Sequence, residues 1–249
     1  MHNTAFHRCW LLHARAYRDS SLLLDLFSEE EGRISAVARG VRTSAKGSSS
    51  GKRALLQPFL PLSVALSGRG ELRTLGPIEA LGAGLIIQGE RLLSALYVNE
   101  LLVRLLPHHE KEAAVFQEYG TLLYALAGET LLEPLLRTFE LQLLDALGYG
   151  LQFGYDVDSG ETVQPDYWYH LHIDGGFARQ LGNGATLDTH ALYRGNDLIR
   201  IARRDFTDEV VRKTAKRLLR SVLQQHLGKR ELGSRALFGK LPTKSIADH

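Results

Sequence analysis

The sequence has 249 residues, of which 44% are hydrophobic and 23% are charged. This length and composition describe one large or two ordinary globular domains and exclude a disordered or fibrous chain. The single cysteine, Cys9, excludes an internal disulfide and a thiolate zinc cluster. No apolar run reaches the roughly 18 residues of a membrane helix, and charges interrupt every apolar run near the N-terminus, so we expect a cytosolic protein without membrane contact.

Charge is segregated along the chain, although the formal net charge is only +2. Residues 1–82 hold 11 Lys and Arg against 7 Asp and Glu, residues 83–199 hold 6 against 16, and residues 200–249 hold 13 against 5. Basic ends on a nearly neutral chain favour a polyanionic partner. The acidic middle is explained by solubility alone.

Residues 5–80 show the patterns of short β-strands. Strand character marks residues 10–16, 21–27, 33–39, 55–66 and 71–75, separated by turn residues. Five strands in this length predict an OB-fold β-barrel, and an SH3-like barrel fits the strand count nearly as well. The Ser, Gly, Lys and Arg-rich residues 40–53 have no apolar periodicity, which predicts a mobile loop.

From about residue 89 the apolar period becomes helical. Helices are predicted at residues 91–106, 110–127 and 134–147, with Pro107 and Gly148 after the first and third. In residues 151–200, apolar and polar residues alternate less regularly, which predicts a hairpin module. We therefore predict an α+β fold, in which an OB-fold DNA-binding domain (1–80) precedes a mainly α-helical domain (81–249) that includes the mixed module at 151–200.

The last predicted helix begins after Thr207 as the N-cap and ends at Gly228. Its apolar arc holds Val211, Thr214, Ala215, Leu218 and Val222. A separate arc of about 140° holds only cations, with no acid to form an i,i+4 pair. An anionic partner explains this arc better than a solvated face does. The five cations are Arg212, Lys213, Lys216, Arg217 and Arg220.

The predicted barrel and its loop carry a second set of cations. Phosphate contacts need cations on flexible or groove-lining elements, since each contact releases condensed counterions. Aromatic candidates for base stacking are Phe6, Trp10, Tyr17, Phe27 and Phe59, most of which we expect in the core. We predict DNA binding with little sequence preference. The barrel cations are Arg33, Arg39, Arg42, Lys46, Lys52, Arg53 and Arg69.

Enzymatic alternatives have weaker support in the sequence. His170 and His172 alternate on a predicted strand and suggest a metal-dependent nucleic-acid hydrolase together with Asp166 or Asp174. No further ligand follows at a fixed spacing, however, and surface histidines are the commoner explanation. Cys9 lies in an apolar strand, which is typical of a buried, unreactive thiol. No phosphate-binding glycine motif is present, so we expect no ATPase activity. We also expect no catalytic residue, no cofactor and no metal.

Five segments in order resemble the RecO family of recombination mediators. They are LLHARAYRDSSLLLDLFSEEEGRISAVARGVR (11–42), LQPFLPLSVALSGRGELRTLGPIEA (56–80), LYVNELLVRLL (96–106), LLRTFELQLLDALGYG (135–150) and LGSRALF (232–238). The resemblance implies an N-terminal OB fold, a helical bundle, and a non-catalytic protein of recombinational repair. It also implies binding of single- and double-stranded DNA, ATP-free annealing of complementary strands, and contact with RecR to help load the recombinase RecA.

The resemblance further implies a site for the acidic, apolar-ended tail of the single-stranded-DNA-binding protein. Arg137 matches the basic position expected to hold the tail carboxylate, with Leu136 and Leu143 as apolar neighbours. The alternative for Arg137 is a helix-surface cation paired with Glu133 or Glu140. Many family members carry a four-cysteine zinc module after the LGYG segment, and residues 151–180 contain no cysteine here. An adaptor that acts mainly through protein contacts of its acidic helices remains another alternative.

Overall fold

A computed structural model describes residues 5–42, 48–172, 174–181, 192–228 and 232–234, without the side chains of residues 48–50. The chain divides into two compact units, which we call the barrel unit (Met1–Thr130 with Arg230–His249) and the helix–sheet unit (Leu131–Lys229). This division falls at residue 130. The predicted domain boundary at residue 80 coincides with the end of a strand and stays a prediction.

The N-terminal strands form a closed five-stranded barrel, which confirms the predicted OB-like fold. The strands are β1 (Phe6–Tyr17), β2 (Ser21–Ser28), β3 (Gly32–Ala38), β4 (Leu62–Ser67) and β5 (Leu72–Ala80), in the order β1-β2-β3-β5-β4. All neighbours are antiparallel except β3 and β5. The alternating residues predicted to share one side, Ile34, Ala36 and Ala38, are all buried.

Helix α1 (Ser48–Leu55) corrects the predicted loop at residues 40–53 and the predicted start of a strand at residue 55. Leu56, directly after the helix, lies in the barrel core, and Leu55 packs against that core. This burial stabilises a helix that the polar sequence would not predict by itself. Strand β4 therefore begins only at Leu62, and residues 43–47 lie outside the described residues.

Helices α2 (Gly89–Leu105) and α3 (Ala113–Leu126) also belong to the barrel unit, near their predicted positions. Trp10 and Phe27 are buried, and both rings lie edge-on or tilted against Tyr119 of α3. The Tyr119 hydroxyl donates to Asn99 Oδ1 at 2.6 Å, and Asn99 Nδ2 donates to the Leu12 backbone oxygen at 3.0 Å. These contacts fix the helices on the face of β1 that is turned away from the barrel core.

The predicted aromatic assignment is largely confirmed, since Trp10, Phe27 and Phe59 are buried whereas Phe6 is 49% exposed. Cys9 is buried as well, and burial raises the pKa of its thiol, as expected for an unreactive cysteine. A further contact joins α2 to the described C-terminal residues. Glu100 accepts from the backbone nitrogen of Gly233 at 2.8 Å and from the Ser234 hydroxyl at 2.7 Å.

The helix–sheet unit contains helices α4 (Leu132–Ala146), α5 (Gly195–Ala202) and α6 (Glu209–Leu227). Its sheet has the order β6-β8-β7-β9, from strands β6 (Gln152–Asp156), β7 (Trp168–Leu171), β8 (Gly176–Arg179) and β9 (Leu192–Arg194). The predicted hairpin module is thus a four-stranded sheet followed by a helix. A hairpin alone would leave Tyr169 and Phe177 uncovered, whereas both are fully buried here.

A buried carboxylate organises the loop after β6. Asp156 Oδ1 accepts from the backbone nitrogens of Asp158 and Ser159, and Oδ2 accepts from that of Arg179 at 3.1 Å. Burial would raise the pKa of the Asp156 carboxyl, but these N–H donors hold it below its ordinary value. A side-chain acceptor therefore holds this loop of the module.

Candidate nucleic-acid interface and peptide site

Four exposed arginines lie together where β1 turns into β2 and β3 ends. Arg15 pairs with Leu23, which pairs with Val37 two residues before Arg39. The Arg42 guanidinium donates to the Arg18 backbone oxygen at 3.0 Å. No carboxylate in the described part of the chain forms an ion pair with any of the four. We call this set the arginine end of the barrel: Arg15, Arg18, Arg39 and Arg42.

The arginine end contains two predicted residues, Arg39 and Arg42, and two that sequence reasoning missed. Arg15 occupies an exposed position of a strand, and Arg18 has a positive φ of 51° in the following turn. The sequence did contain a signal for both residues, namely their position beside the polar turn between two predicted strands. Cations beside such a turn lie at one end of a barrel. Arg18 also lies 5.2 Å from the centre of the Tyr17 ring, which keeps an aromatic surface beside the cations.

The opposite end of β2 carries acidic residues whose charges are paired. Glu29 accepts from Arg8 at 3.0 Å, and Glu31 accepts from Arg73 at 3.0 Å. Because Arg73 also donates to the oxygens of Gly68 and Gly70, the turn with the predicted residue Arg69 is at this acidic end. Arg69 is exposed, but the structure does not bring it together with the arginine end.

The remaining barrel cations have mixed placements. Lys52 of α1 donates to the Gly76 backbone oxygen at 3.2 Å and is half-buried, whereas Arg53 is exposed. Lys46 lies outside the described residues. Of these three cations, Arg53 is therefore the one in the described part of the chain that is exposed to solvent.

Arg33 belongs to the predicted DNA-binding set, but its guanidinium is engaged inside the barrel unit. It donates to the backbone oxygens of Val103 and Leu106, contacts His108, and lies 3.8 Å from Asp25. The side chain is only 14% exposed. Burial lowers the pKa of the guanidinium, and the Asp25 carboxylate opposes this effect. These oxygens belong to the C-terminal end of helix α2, so the contacts of Arg33 indicate a structural role. Arg33 is therefore not part of the proposed DNA surface.

Helix α6 confirms its predicted apolar arc, since Val211, Thr214, Ala215, Leu218 and Val222 are all buried. Its start corrects the sequence prediction. Asp208, not Thr207, is the N-cap, and the Asp208 carboxylate accepts from the Val210 nitrogen at 2.7 Å. The Thr207 hydroxyl donates instead to Asp205 at 2.6 Å, which leaves it unsuited to cap the helix.

The five cations of α6 divide into an outward and an inward group. Lys216 and Arg220 are exposed. Lys213 is exposed too, but it pairs with Glu209 at 2.7 Å in an i,i+4 pair, so the prediction that this helix forms no such pair is wrong. That hydrogen bond raises the pKa of Lys213 and lowers the pKa of Glu209.

The inward cations, Arg212 and Arg217, hold neighbouring elements. Arg212 donates to Glu133 at 3.3 Å and to the backbone oxygens of Phe206 and Thr207, both at 2.9 Å. Arg217 donates to the Leu192 backbone oxygen at 2.6 Å. These contacts join α6 to α4 and β9, so the outward group supplies most of the surface charge of the helix.

Arg137, the predicted tail-binding residue, is buried on α4. Its Nη1 lies 2.9 Å from Glu140 Oε2, and the two side chains are 9% and 0% exposed. Its Nε is buried without a hydrogen-bond partner among the described residues. Leu136 and Leu143 are buried as well. The three predicted residues thus all lie buried on α4. A peptide carboxylate would need a rearrangement of neighbouring side chains to reach the guanidinium.

In the described part of the chain, the two histidines of the hydrolase alternative do not form a metal site with other ligands. His172 Nδ1 lies 3.4 Å from Asp174 Oδ2, and His170 Nδ1 is buried without a hydrogen-bond partner. Among the described residues, no group of three or more His, Cys, Asp or Glu side chains is suitably placed for a metal ion. Among the same residues, no helix has the length and apolarity to cross a membrane.

The fold and the arginine end define an OB-type barrel protein with a basic surface, an architecture used for oligonucleotide binding. Residues 1–83 match the family described as "Recombination protein O N terminal", and residues 88–236 match "Recombination protein O C terminal". The chain belongs to this family.

Relatives extend over nearly the full chain. DNA repair protein RecO of Aliivibrio fischeri is 42% identical over 240 residues, which are 96% of this chain and 97% of the relative. The Methylococcus capsulatus protein of the same name is 43% identical over 229 residues, covering 92% and 90%. That of Vibrio cholerae is 41% identical over 231 residues, covering 93% and 92%. The chain is thus a member of a family of recombinational DNA repair proteins.

Proposed function

We propose that the protein is a non-catalytic mediator of recombinational repair, which anneals complementary single strands and helps load RecA onto single strands coated by the single-stranded-DNA-binding protein. The observation that carries this proposal is the arginine end of a barrel in a member of the recombination protein O family. The proposed partners are single- and double-stranded DNA, the coating protein, RecR and, functionally, RecA. The proposed location is the bacterial cytosol.

The arginine end supports annealing by a purely electrostatic route. Two complementary strands repel each other through their phosphates, and exposed guanidiniums that bind both strands lower this repulsion. Phosphate contacts carry no sequence information, so strands of any sequence are accepted. Base pairing then supplies the free energy of the product, and neither a nucleotide cofactor nor a catalytic side chain is needed.

Arg137 supports the contact with the coating protein. A tail that ends in a carboxylate would give the buried Nε of Arg137 an acceptor. The apolar side chains of Leu136 and Leu143 would surround an aromatic ring at the end of the tail. The carboxylate would compete with Glu140, which already lies 2.9 Å from the guanidinium. Binding therefore requires that the tail offers more contacts than this internal pair.

Annealing of complementary strands tests the proposal, with bare strands and with strands coated by the single-stranded-DNA-binding protein. We expect the wild-type protein to accelerate both reactions without ATP. Arg137→Ala should slow annealing of coated strands about tenfold or more, because a charge-assisted contact of roughly 1.5–3 kcal/mol is lost. The same variant should anneal bare strands at the wild-type rate.

Leu136→Met serves as a volume-conserving control at the same site and should retain both activities. Equal loss on bare and coated strands for Arg137→Ala would indicate misfolding and count against the tail site. No acceleration by the wild-type protein would remove the annealing function and favour an adaptor.

A further inference from the structure

Two large aromatic side chains stand exposed at the start of β7 in the helix–sheet unit. Trp168 is 48% exposed and Tyr167 is 40% exposed. The adjacent Tyr169, by contrast, is fully buried in the sheet. Large rings are costly to leave in water, so two consecutive exposed ones are a candidate contact surface rather than part of the core.

Each exposed ring has an arginine against it. Arg194 of β9 pairs in register with Trp168, and its guanidinium carbon lies 5.7 Å from the ring centre. The Arg179 guanidinium carbon lies 3.2 Å from the centre of the Tyr167 ring. Within the described part of the chain, neither arginine forms an ion pair with a carboxylate. Each ring is thus oriented by a cation and retains solvent-exposed surface.

Cations of α6 lie in the same unit as these two ring–arginine pairs. Arg217 of α6 donates to the backbone oxygen of Leu192, two residues before Arg194 on the same strand, and lies 4.3 Å from the Tyr193 ring. Lys213, Lys216 and Arg220 are exposed on α6. One unit of the protein therefore carries both a cationic helix and exposed rings, the two kinds of contact that single-stranded nucleic acids use.

We propose that each of these two pairs is a stacking position for one unpaired base of single-stranded DNA. We call the set the stacking site: Tyr167, Trp168, Arg179 and Arg194. This inference rests on the proposed DNA-binding function and adds a site outside the barrel. A base stacks on an exposed ring while the paired arginine attracts the adjacent phosphate. Bases inside a duplex already stack on each other, so the site distinguishes single-stranded from double-stranded DNA.

Intrinsic fluorescence tests the proposal directly, because the chain has only two tryptophans and Trp10 is buried. The full-length protein is titrated with a thirty-nucleotide oligo(dT) and with an abasic oligonucleotide of equal length. We expect oligo(dT) to quench the emission of the wild-type protein by stacking on Trp168. The abasic strand should bind without quenching. Trp168→Phe, a conservative change, should abolish the quenching by oligo(dT).

Affinity gives a second measurement, by fluorescence anisotropy of labelled oligo(dT) and of a labelled thirty-base-pair duplex. Tyr167→Ala combined with Trp168→Ala should weaken oligo(dT) binding at least about fivefold, since each stacked base contributes substantially, and should change duplex binding less than about twofold. Tyr124→Ala is the matched control, because Tyr124 is an exposed tyrosine of the barrel unit. It should leave both affinities unchanged.

The outcomes separate the stacking site from the proposed function. Binding of oligo(dT) without quenching, or equal quenching in Trp168→Phe, would overturn the stacking site and leave DNA binding intact. Equal weakening of single-stranded and duplex binding in the double variant would also overturn it. Absence of any DNA binding by the wild-type protein would overturn the proposed function and this inference with it.

Discussion

The arginine end and helix α6 are both basic, but they differ in what their cations contact. At the arginine end, four exposed guanidiniums form no ion pair with a described carboxylate. On α6, by contrast, Arg212 contacts Glu133, Lys213 pairs with Glu209, and Arg217 donates to the backbone of β9. The density of cations in a sequence therefore overestimates the charge available to phosphates where a helix uses those cations to hold its neighbours.

Neutralising the arginine end should have the largest effect of this comparison. Alanine at Arg15, Arg18, Arg39 and Arg42 should flatten the slope of log affinity against log salt for duplex DNA by roughly 3 to 4, because each phosphate contact contributes about 0.9. At 150 mM salt the affinity should fall by roughly two to three orders of magnitude. A fluorescence-anisotropy titration at several salt concentrations measures both quantities.

The matched control for that variant uses arginines from the acidic end of the barrel. Arg8 and Arg69 are both exposed, and Arg8 already pairs with Glu29. Their double alanine variant should keep the wild-type slope. If it flattens the slope as much as the arginine-end variant does, DNA binding depends on net charge rather than on the arginine end.

Helix α6 should respond more weakly and in two separable ways. Alanine at Lys216 and Arg220 should flatten the salt slope by about 1 to 2 and lower the affinity about tenfold, since both are exposed and unpaired with described acids. Alanine at Arg212 and Arg217 should instead lower the free energy of unfolding by about 1–2 kcal/mol, because part-buried acceptors lose their donors. Anisotropy and urea denaturation measure the two effects. A larger slope change from Arg212 and Arg217 would reverse the proposed division of this helix.

The structure could be predicted from the sequence where a local pattern of apolar residues determines it. Ile34, Ala36 and Ala38 alternate with a period of two, and all three are buried in the barrel. The apolar arc of α6 was also predictable, because its apolar residues recur with the helical period of about 3.6. Helix α1 was not, because its polar sequence is held by the burial of Leu56 in a core formed by distant strands.

The contacts that individual arginines make were the least predictable part of the site. Arg33 and Arg39 lie near the two ends of β3 and look equivalent in the sequence. Arg33 meets the last carbonyls of α2 about 70 residues later in the chain, whereas Arg39 meets solvent. Likewise, Tyr167 and Trp168 read as part of a hairpin, and only the partners from β8 and β9 set them apart. Such distinctions depend on long-range contacts, which local periodicity does not encode.

The smallest expected effect has the opposite sign and tests the pairing on α6. Glu209→Gln removes the carboxylate that lies 2.7 Å from Lys213, so the Lys213 ammonium becomes available to a phosphate. DNA affinity should rise only about twofold, since an exposed i,i+4 pair is weak. The same substitution combined with Lys213→Ala should lose this gain, because no ammonium is left to release. If the gain persists in the double variant, Glu209 repels DNA directly, and the pair with Lys213 does not limit the charge that α6 offers.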